Sequence, residues 1–234
     1  MHIFLDASVI DQSNVHAWQY LSCYLSACEQ RELDQRGYRL ELHRSQYIFG
    51  RLLLKRILCC EMNLDFESID ILPSSTGKPL LFLRGCLVET IDLSIAHYGY
   101  TIFVSVGSKC RCGVDVQSIV NIDWDAVARV MGWSVSNERQ WFGISFDSGC
   151  DSYLAPQVRG GLIWSGYEAW LKLFQCKLSY TEFCWHHISL LETDSVTHSQ
   201  IFEMVLEHHS YYNQSRILLK LCSDEVFAVA THAS

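Results

Sequence analysis

The sequence is poor in the features that mark disordered, secreted or membrane-spanning chains. It has only three prolines and no Gly/Ser-rich or low-complexity tract, so we expect no flexible tether between domains. No uncharged apolar run reaches the roughly 18 residues that a membrane-spanning helix needs. The first six residues lack a basic segment followed by an apolar one, which predicts no signal peptide. We therefore expect a cytoplasmic protein that does not bind membranes.

Basic residues are also too few for a general nucleic-acid-binding protein. Lys and Arg number 18 and Asp and Glu number 26, which gives a net charge of -8. Nucleic-acid binding needs a basic footprint, so no nucleic-acid partner is expected. A local basic patch could still bind an acidic partner, because nearby charges dominate the field at one site.

Cysteine is plentiful, but its spacing does not suggest a metal site. The chain has 11 cysteines, an odd number, and no pair is spaced as CxxC. We interpret them as reduced thiols, many of them in the core. The histidine pairs at 186–187 and 208–209 leave an unrelated Cys/His metal protein as an alternative, although no ligand spacing supports it.

The composition that remains is globular, with 49% hydrophobic and 19% charged residues. A chain of 234 residues suffices for one large domain or two small ones. Apolar periodicity predicts long helices over 43–62 and 162–175, and shorter helices over 15–28 and 123–131. Short strands are predicted over 1–8, 69–72, 91–96, 100–106, 113–116, 183–191, 215–222 and 225–231, and a long loop over 143–161.

Two acidic positions could bind a metal. Asp115 lies in a short β segment, where a buried carboxylate is costly unless it is paired or bound to a metal. Taken alone, it could equally be an edge-strand residue facing solvent. Glu168 and Lys172 share one helix face, and taken alone they are best explained as an ion pair worth a few tenths of a kcal/mol. Together, Asp115 and Glu168 would suit Mg²⁺, which prefers oxygen ligands.

Several basic residues could bind phosphate. Arg44, Arg51 and Lys55 are spaced to share one face of the helix over 43–62, which by itself would be a solvated basic stripe. Lys78 and His97 could each contact a phosphate. Either could also be an ordinary turn lysine or a hydrogen-bonded histidine.

In chain order the motifs are GR (50–51), GKP (77–79), LSIAH (93–97), GVDV (113–116) and WSGYEAWLK (164–172). Their order and spacing resemble the 4′-phosphopantetheinyl transferase superfamily, in its longer type that activates the carrier domains of peptide and polyketide synthetases. The resemblance covers about residues 44–174, and the final strand also fits it.

The resemblance implies an α+β fold. It would be a pseudo-dimer of two similar α/β halves, each a small antiparallel sheet packed with a long helix, with the active site at their seam. Residues 1–111 would form the half that binds coenzyme A, and residues 112–234 the half that carries the magnesium site and the catalytic helix. The protein is expected to be a monomer.

The resemblance also implies roles for single residues. Asp115, Gln117 and Glu168 would bind Mg²⁺, and Asp115, Glu168 and Lys172 would be catalytic, with Glu168 as a candidate general base. Coenzyme A would be bound by Arg44, Arg51, Lys78, His97 and Lys172.

The implied activity is transfer of the 4′-phosphopantetheine group from coenzyme A to a serine of an apo acyl or peptidyl carrier protein, with release of 3′,5′-ADP. Such an enzyme would serve lipid or secondary-metabolite biosynthesis.

Two positions depart from the family pattern. Gln117 replaces a common Glu, which keeps an oxygen ligand but removes a charge. Tyr167 replaces a Lys and lies on the apolar face of its helix. These changes leave open a non-catalytic relative that binds coenzyme A or the carrier protein but transfers nothing.

Overall fold

The computed structural model describes residues 2–11, 18–120, 122–124, 126–127, 140–141, 144–146, 154–175, 183–194, 199–208 and 211–233. The chain divides into two compact units. Unit 1 comprises Met1–Val114 with Ala233–Ser234, and unit 2 comprises Asp115–His232. The predicted functional division into residues 1–111 and 112–234 stays a prediction.

Unit 1 combines helices with short antiparallel strands. Its helices are α1 (Trp18–Leu21), α2 (Ala27–Arg36) and α3 (Glu41–Met62), with 3₁₀ turns at Ser22–Tyr24 and Phe66–Ser68. Its strands are β1 (His2–Val9), β2 (Ile69–Pro73), β3 (Pro79–Leu83), β4 (Cys86–Leu87), β5 (Ile91–Tyr98) and β6 (Thr101–Ser108), and β7 (Cys110–Ser118) begins in this unit. They form two sheets, in the orders β1-β6-β5 and β2-β3-β4.

The first helical segment is broken by a capping box, so the predicted helix over 15–28 is wrong. The chain is extended at Leu25, and α2 starts after Ser26. The Ser26 hydroxyl accepts from the Glu29 backbone N–H at 3.2 Å, and the Glu29 carboxylate accepts from the Ser26 N–H at 2.8 Å. These reciprocal bonds satisfy donors that a helix leaves open at its first turn. Residues 15–17 of the predicted helix lie outside the described part.

Helix α3 agrees with its prediction and builds the core of unit 1. Its buried residues Leu54 and Leu58 pack with Ile102, Val104 and Val106, which alternate along β6 on one face of the sheet. Arg51 and Lys55 of the predicted basic stripe are also buried, at 6% and 1% exposure, so the solvated interpretation is wrong for these two.

The GKP segment forms the turn between β2 and β3. The Gly77 N–H donates to the Ser74 carbonyl at 3.0 Å, and the Ser74 N–H donates to the Lys78 carbonyl at 2.7 Å. Gly77 has a φ of 89°, a conformation that side chains rarely tolerate. The turn therefore places Lys78 at the start of β3.

Unit 2 packs one long helix against a mainly antiparallel sheet. Its elements are β8 (Gln140–Trp141), β9 (Ile144–Phe146), α4 (Pro156–Phe174), β10 (Phe183–Thr193), β11 (Gln200–His208), β12 (Tyr211–Cys222) and β13 (Glu225–Ala233). The described strands follow the order β7-β13-β12-β11-β10-β9-β8, and β9 and β10 are parallel. The expected α+β class is confirmed, whereas the pseudo-dimer with a seam stays a prediction.

Helix α4 begins at Pro156 rather than at residue 162, so the end of the predicted loop over 143–161 is wrong. Proline suits the first turn of a helix because that turn needs no N–H donor. Gly160 and Gly161 looked like loop residues in the sequence. A Cβ at these positions would lie 2.5 Å from Trp124 and from Ile119 respectively, so both glycines serve close packing. Most of the predicted helix over 123–131 lies outside the described part.

The apolar face predicted for α4 is confirmed. Ile163, Tyr167, Trp170 and Leu171 are buried, and they pack with Phe202, Leu219 and Ala228 of the sheet. Tyr167 thus belongs to the core. None of the helices in the described ranges is long and apolar enough to cross a membrane.

The cysteines are distributed between core and surface. Cys110 and Cys112 are buried, and burial raises the pKa of Cys112 to about 12. Cys23, Cys60 and Cys86 are exposed, so the core interpretation does not extend to them.

Candidate functional site

The centre of the site in unit 2 is an ion pair that joins two distant motifs. Asp115 on β7 is 6% exposed, and its Oδ1 accepts from Lys172 Nζ of α4 at 2.7 Å. The second oxygen of Asp115, Oδ2, is buried and makes no hydrogen bond of normal geometry, although the Ser165 hydroxyl and the Val116 N–H act on this carboxylate and lower its pKa. A buried carboxylate oxygen with no partner is costly and needs an explanation, such as an ion that the site is built to bind.

Glu168 lies one helical turn before Lys172 on the same face of α4. Burial raises the pKa of Glu168, the Lys172 ammonium opposes this shift, and the charge of Asp115 adds to it. Burial likewise raises the pKa of Asp115 against the influence of Lys172. The two carboxylates therefore share one ammonium, and the cluster is short of positive charge.

Two further polar residues adjoin Asp115. Gln117 is half-buried and lies two residues along β7, on the same strand face. Ser165 is fully buried on α4, and its hydroxyl lowers the pKa of Asp115, although its oxygen makes no hydrogen bond of normal geometry. Ser165 was not predicted from the sequence, where it lies within the WSGYEAWLK motif without a special signal.

This donor set fits a hard divalent cation. Asp115 and Glu168 offer carboxylate oxygens, Gln117 offers an amide oxygen, and the unpartnered Oδ2 has a free coordination position. No group of three or more His, Cys, Asp or Glu side chains comes together in the described part of the chain. A magnesium ion here would therefore need water or substrate phosphate to complete its shell, as it commonly does.

Unit 1 contains a separate pocket with a cationic wall. Its volume is about 320 Å³. It is lined by Arg36, Tyr38, His43, Gln46, Tyr47, Arg51, Gly77, Pro79, Ile95 and His97. Arg51 and His97, which were predicted to bind coenzyme A, both line this cavity, together with Gly77 and Pro79 on either side of Lys78. Two arginines line this wall and no acidic residue does, which favours an anionic ligand, although Arg36 is also paired with Glu32 at 2.7 Å.

Arg51 is the most constrained cation of this pocket. Its Nε donates to the Ile71 carbonyl and its Nη1 to the Tyr47 carbonyl, both at 3.2 Å. Its guanidinium carbon lies 3.3 Å from the centre of the Tyr47 ring. Burial lowers the pKa of Arg51, which indicates a desolvated charge whose hydrogen-bond partners are carbonyls and not a carboxylate.

The other predicted residues of unit 1 lie elsewhere. Lys78 does not line the pocket: its Nζ donates to Asp92 Oδ2 at 2.6 Å and to the Cys112 carbonyl at 3.2 Å. Arg44 does not line the pocket either, but its Nε donates to the carbonyl of Tyr38, a lining residue, at 3.0 Å. The predicted contacts of Lys78 and Arg44 with coenzyme A stay predictions.

Half of the pocket was missed by sequence reasoning. Arg36 comes from the end of α2, a helix that was not predicted, and Tyr38 and His43 flank the start of α3. The Ser26 to Glu29 spacing is that of a capping box, and it could have predicted the start of the helix that ends at Arg36. The histidine pairs at 186–187 and 208–209 lie outside the residues whose side chains are described.

Comparison with known proteins does not assign the chain to a family. No protein-family model matches the chain, and no curated protein matches its sequence.

Proposed function

We propose that this protein transfers the 4′-phosphopantetheine group of coenzyme A to a serine of an apo acyl or peptidyl carrier protein, with Mg²⁺. The observation that carries the proposal is the cluster of Asp115, Glu168 and Lys172. Two motifs that are weak when taken separately meet there, at a distance of 2.7 Å between Lys172 Nζ and Asp115 Oδ1. A solvated helix ion pair between Glu168 and Lys172 would not have required a buried aspartate from a distant strand.

The cation would be held by Asp115 and Glu168, with the amide oxygen of Gln117 as a third ligand. When bound, Mg²⁺ would neutralise charge on the pyrophosphate of coenzyme A. Binding there would also place a second positive charge beside two carboxylates that share one ammonium.

Glu168 is the candidate general base. Its raised pKa brings it closer to neutral pH, which favours proton transfer. The carrier serine would lose its proton to the Glu168 carboxylate. A bond would form from the serine oxygen to the β-phosphorus, and the bond from that phosphorus to 3′,5′-ADP would break. Lys172 would stabilise charge that develops on the phosphate oxygens.

The pocket of unit 1 is the candidate site for the nucleotide end of coenzyme A. Arg51 and His97 would contact its phosphates, and Arg36, whose Nε also pairs with Glu32 at 2.7 Å, lies on the same wall. A planar guanidinium binds phosphate with two parallel hydrogen bonds, which suits Arg36 and Arg51 to this role.

A direct assay tests the proposal. The purified protein is incubated with coenzyme A, Mg²⁺ and an apo carrier protein, and the carrier is analysed by intact mass. We expect the carrier to gain one phosphopantetheinyl group, and we expect no gain with Asp115→Ala or with chelator. A carrier whose mass is unchanged with the parental protein, across fatty-acid, polyketide and peptide carriers, would contradict transferase activity.

A non-catalytic relative is the second candidate, and one observation favours it. Both lysines expected to contact phosphate are engaged by carboxylates, Lys172 by Asp115 and Lys78 by Asp92. In that case the protein would bind coenzyme A, as measured by calorimetry, without modifying any carrier.

A further inference from the structure

Tyr47 occupies a central place in the pocket of unit 1 that sequence motifs did not indicate. It is 6% exposed, and it lines the cavity together with Arg36 and Arg51. Both guanidinium groups approach its ring. The carbon of Arg51 lies 3.3 Å from the ring centre, and that of Arg36 lies 5.7 Å from it.

The ring itself is held from outside the pocket. The Tyr47 hydroxyl donates to the Glu29 backbone carbonyl at 3.1 Å, which links α3 to α2. Glu29 is in turn fixed by Lys55 Nζ at 2.8 Å and by the Ile71 N–H at 2.9 Å, and it is fully buried. Burial raises the pKa of Tyr47 to about 12, so the hydroxyl stays a hydrogen-bond donor through the neutral range.

Stacking on a fixed ring has two consequences for Arg51. The negative face of the ring partly compensates for the desolvation of the guanidinium. The ring also lies against the guanidinium, at 3.3 Å from its carbon, and limits its movement, so little rotamer freedom remains to be lost when an anion binds. Nε and Nη1 bind carbonyls, so the fork can offer its remaining N–H groups to a ligand.

We propose that Tyr47 is a positioning residue that holds the Arg51 guanidinium at the pocket wall and thereby determines how tightly the pocket binds a phosphate group. The proposal rests on the proposed function only in its choice of 3′,5′-ADP as the main probe. Tyr47 acts through Arg51 and not through its own contact with the anion.

The experiment measures the Kd of 3′,5′-ADP by calorimetry for the parental protein and a set of variants. Tyr47→Phe keeps the aromatic face and should stay within about threefold of the parental Kd. Tyr47→Met and Tyr47→Leu remove the face and should weaken binding about tenfold. The matched control is Tyr20→Met, which changes a tyrosine of α1 that is 78% exposed and should leave the Kd unchanged.

A double-mutant cycle then tests whether Tyr47 acts through Arg51. In the Arg51→Met background, Tyr47→Met should change the Kd by no more than about threefold. The proposal is overturned if Tyr47→Met binds as the parental protein does, if Tyr47→Phe is as weak as Tyr47→Met, or if the full loss persists in that background. If neither Tyr47→Met nor Tyr47→Leu folds, Tyr47 is a stability residue and the proposal is equally overturned.

A second probe separates this proposal from the proposed function. Inorganic pyrophosphate carries the anionic groups without the nucleoside. If the parental protein binds pyrophosphate but not 3′,5′-ADP, the coenzyme A assignment fails, and the same variants compared with pyrophosphate still decide the role of Tyr47. If it binds neither probe, both proposals are wrong.

Discussion

Replacing Asp115 by asparagine should stabilise the protein while abolishing transfer. The carboxylate is 6% exposed, and its Oδ2 has no hydrogen-bond partner. An unsatisfied buried polar group costs about 1–3 kcal/mol, and more when it is charged, so replacement by Asn removes the additional cost of the buried charge. The opposing contribution is the ion pair with Lys172, whose side chain is 30% exposed, and such a pair contributes about 1 kcal/mol or less.

The amide of Asn keeps the shape of the side chain and removes its charge. We therefore expect Asp115→Asn to raise the free energy of unfolding by about 1 kcal/mol, and the melting temperature by about 2–4 °C. Stability gained together with activity lost is the signature of a group that is kept for function at a cost to the fold.

The pH dependence provides a sharper test. Burial raises the pKa of Asp115, so the folded protein keeps its proton to a higher pH than the unfolded chain does. Between the ordinary and the raised pKa the folded state binds more protons, so its stability falls as the pH rises. Asn does not titrate. The stabilisation by Asp115→Asn should therefore be small below the ordinary pKa of aspartate and grow as the pH rises through the raised value.

Melting curves across this pH range, without divalent cations, measure the effect. Mg²⁺ should then raise the melting temperature of the parental protein and not that of Asp115→Asn, because a ligand stabilises the state that binds it. Asp70→Asn, on the half-buried strand β2, is the matched control. The reasoning is refuted if Asp115→Asn melts below the parental protein at neutral pH, or if the difference does not depend on pH.

Three further substitutions test separate parts of the argument. Gln117→Glu should lower the Mg²⁺ concentration for half-maximal transfer, because it adds a charged ligand, and an unchanged or higher concentration would exclude Gln117 from the metal site. Glu168→Gln should reduce turnover by about a hundredfold or more with little change in melting temperature, and near-normal turnover with saturating substrates would remove its catalytic role. Glu29→Gln should cost about 3–5 kcal/mol in urea denaturation, because it leaves Lys55 buried without its charge partner, and a loss below about 1 kcal/mol would contradict this.

Local pattern determined the elements whose residues interact with near neighbours. The apolar spacing of α3 and the apolar, partly β-branched composition of β5 and β6 were sufficient to predict these elements. The GKP turn was equally predictable, since Gly77 supplies the positive φ that the turn requires. The motif residues Asp115 and Glu168 could be proposed as partners because carboxylates in those contexts suit one kind of ligand. Their shared electrostatic environment could not be read from spacing.

Only the tertiary structure decided how the charged residues are used. Arg51 and Lys55 looked like a solvated stripe, yet α2 and β2 supply the Glu29 carboxylate and the Ile71 carbonyl that allow both to be buried. Lys78 forms an ion pair with Asp92, fourteen residues further along the chain. Burial and pairing depend on segments brought together by folding, and the energy of a charge depends on these neighbours far more than on its position along the chain.

The same reason explains the two largest errors in the predicted elements. Gly160 and Gly161 are poor helix formers, and their pattern alone indicated a loop. The side chains of Trp124 and Ile119 occupy the space where a Cβ would lie, so the glycines permit a close packing that compensates for their low propensity. At Leu25 a segment whose apolar pattern predicted one helix is interrupted. The Glu29 carboxylate caps the start of α2 and is buried with Lys55, so a new helix begins after Ser26. The sequence by itself determined where chain segments favour helix or strand, and long-range packing and burial of charge decided where those segments begin, end and meet.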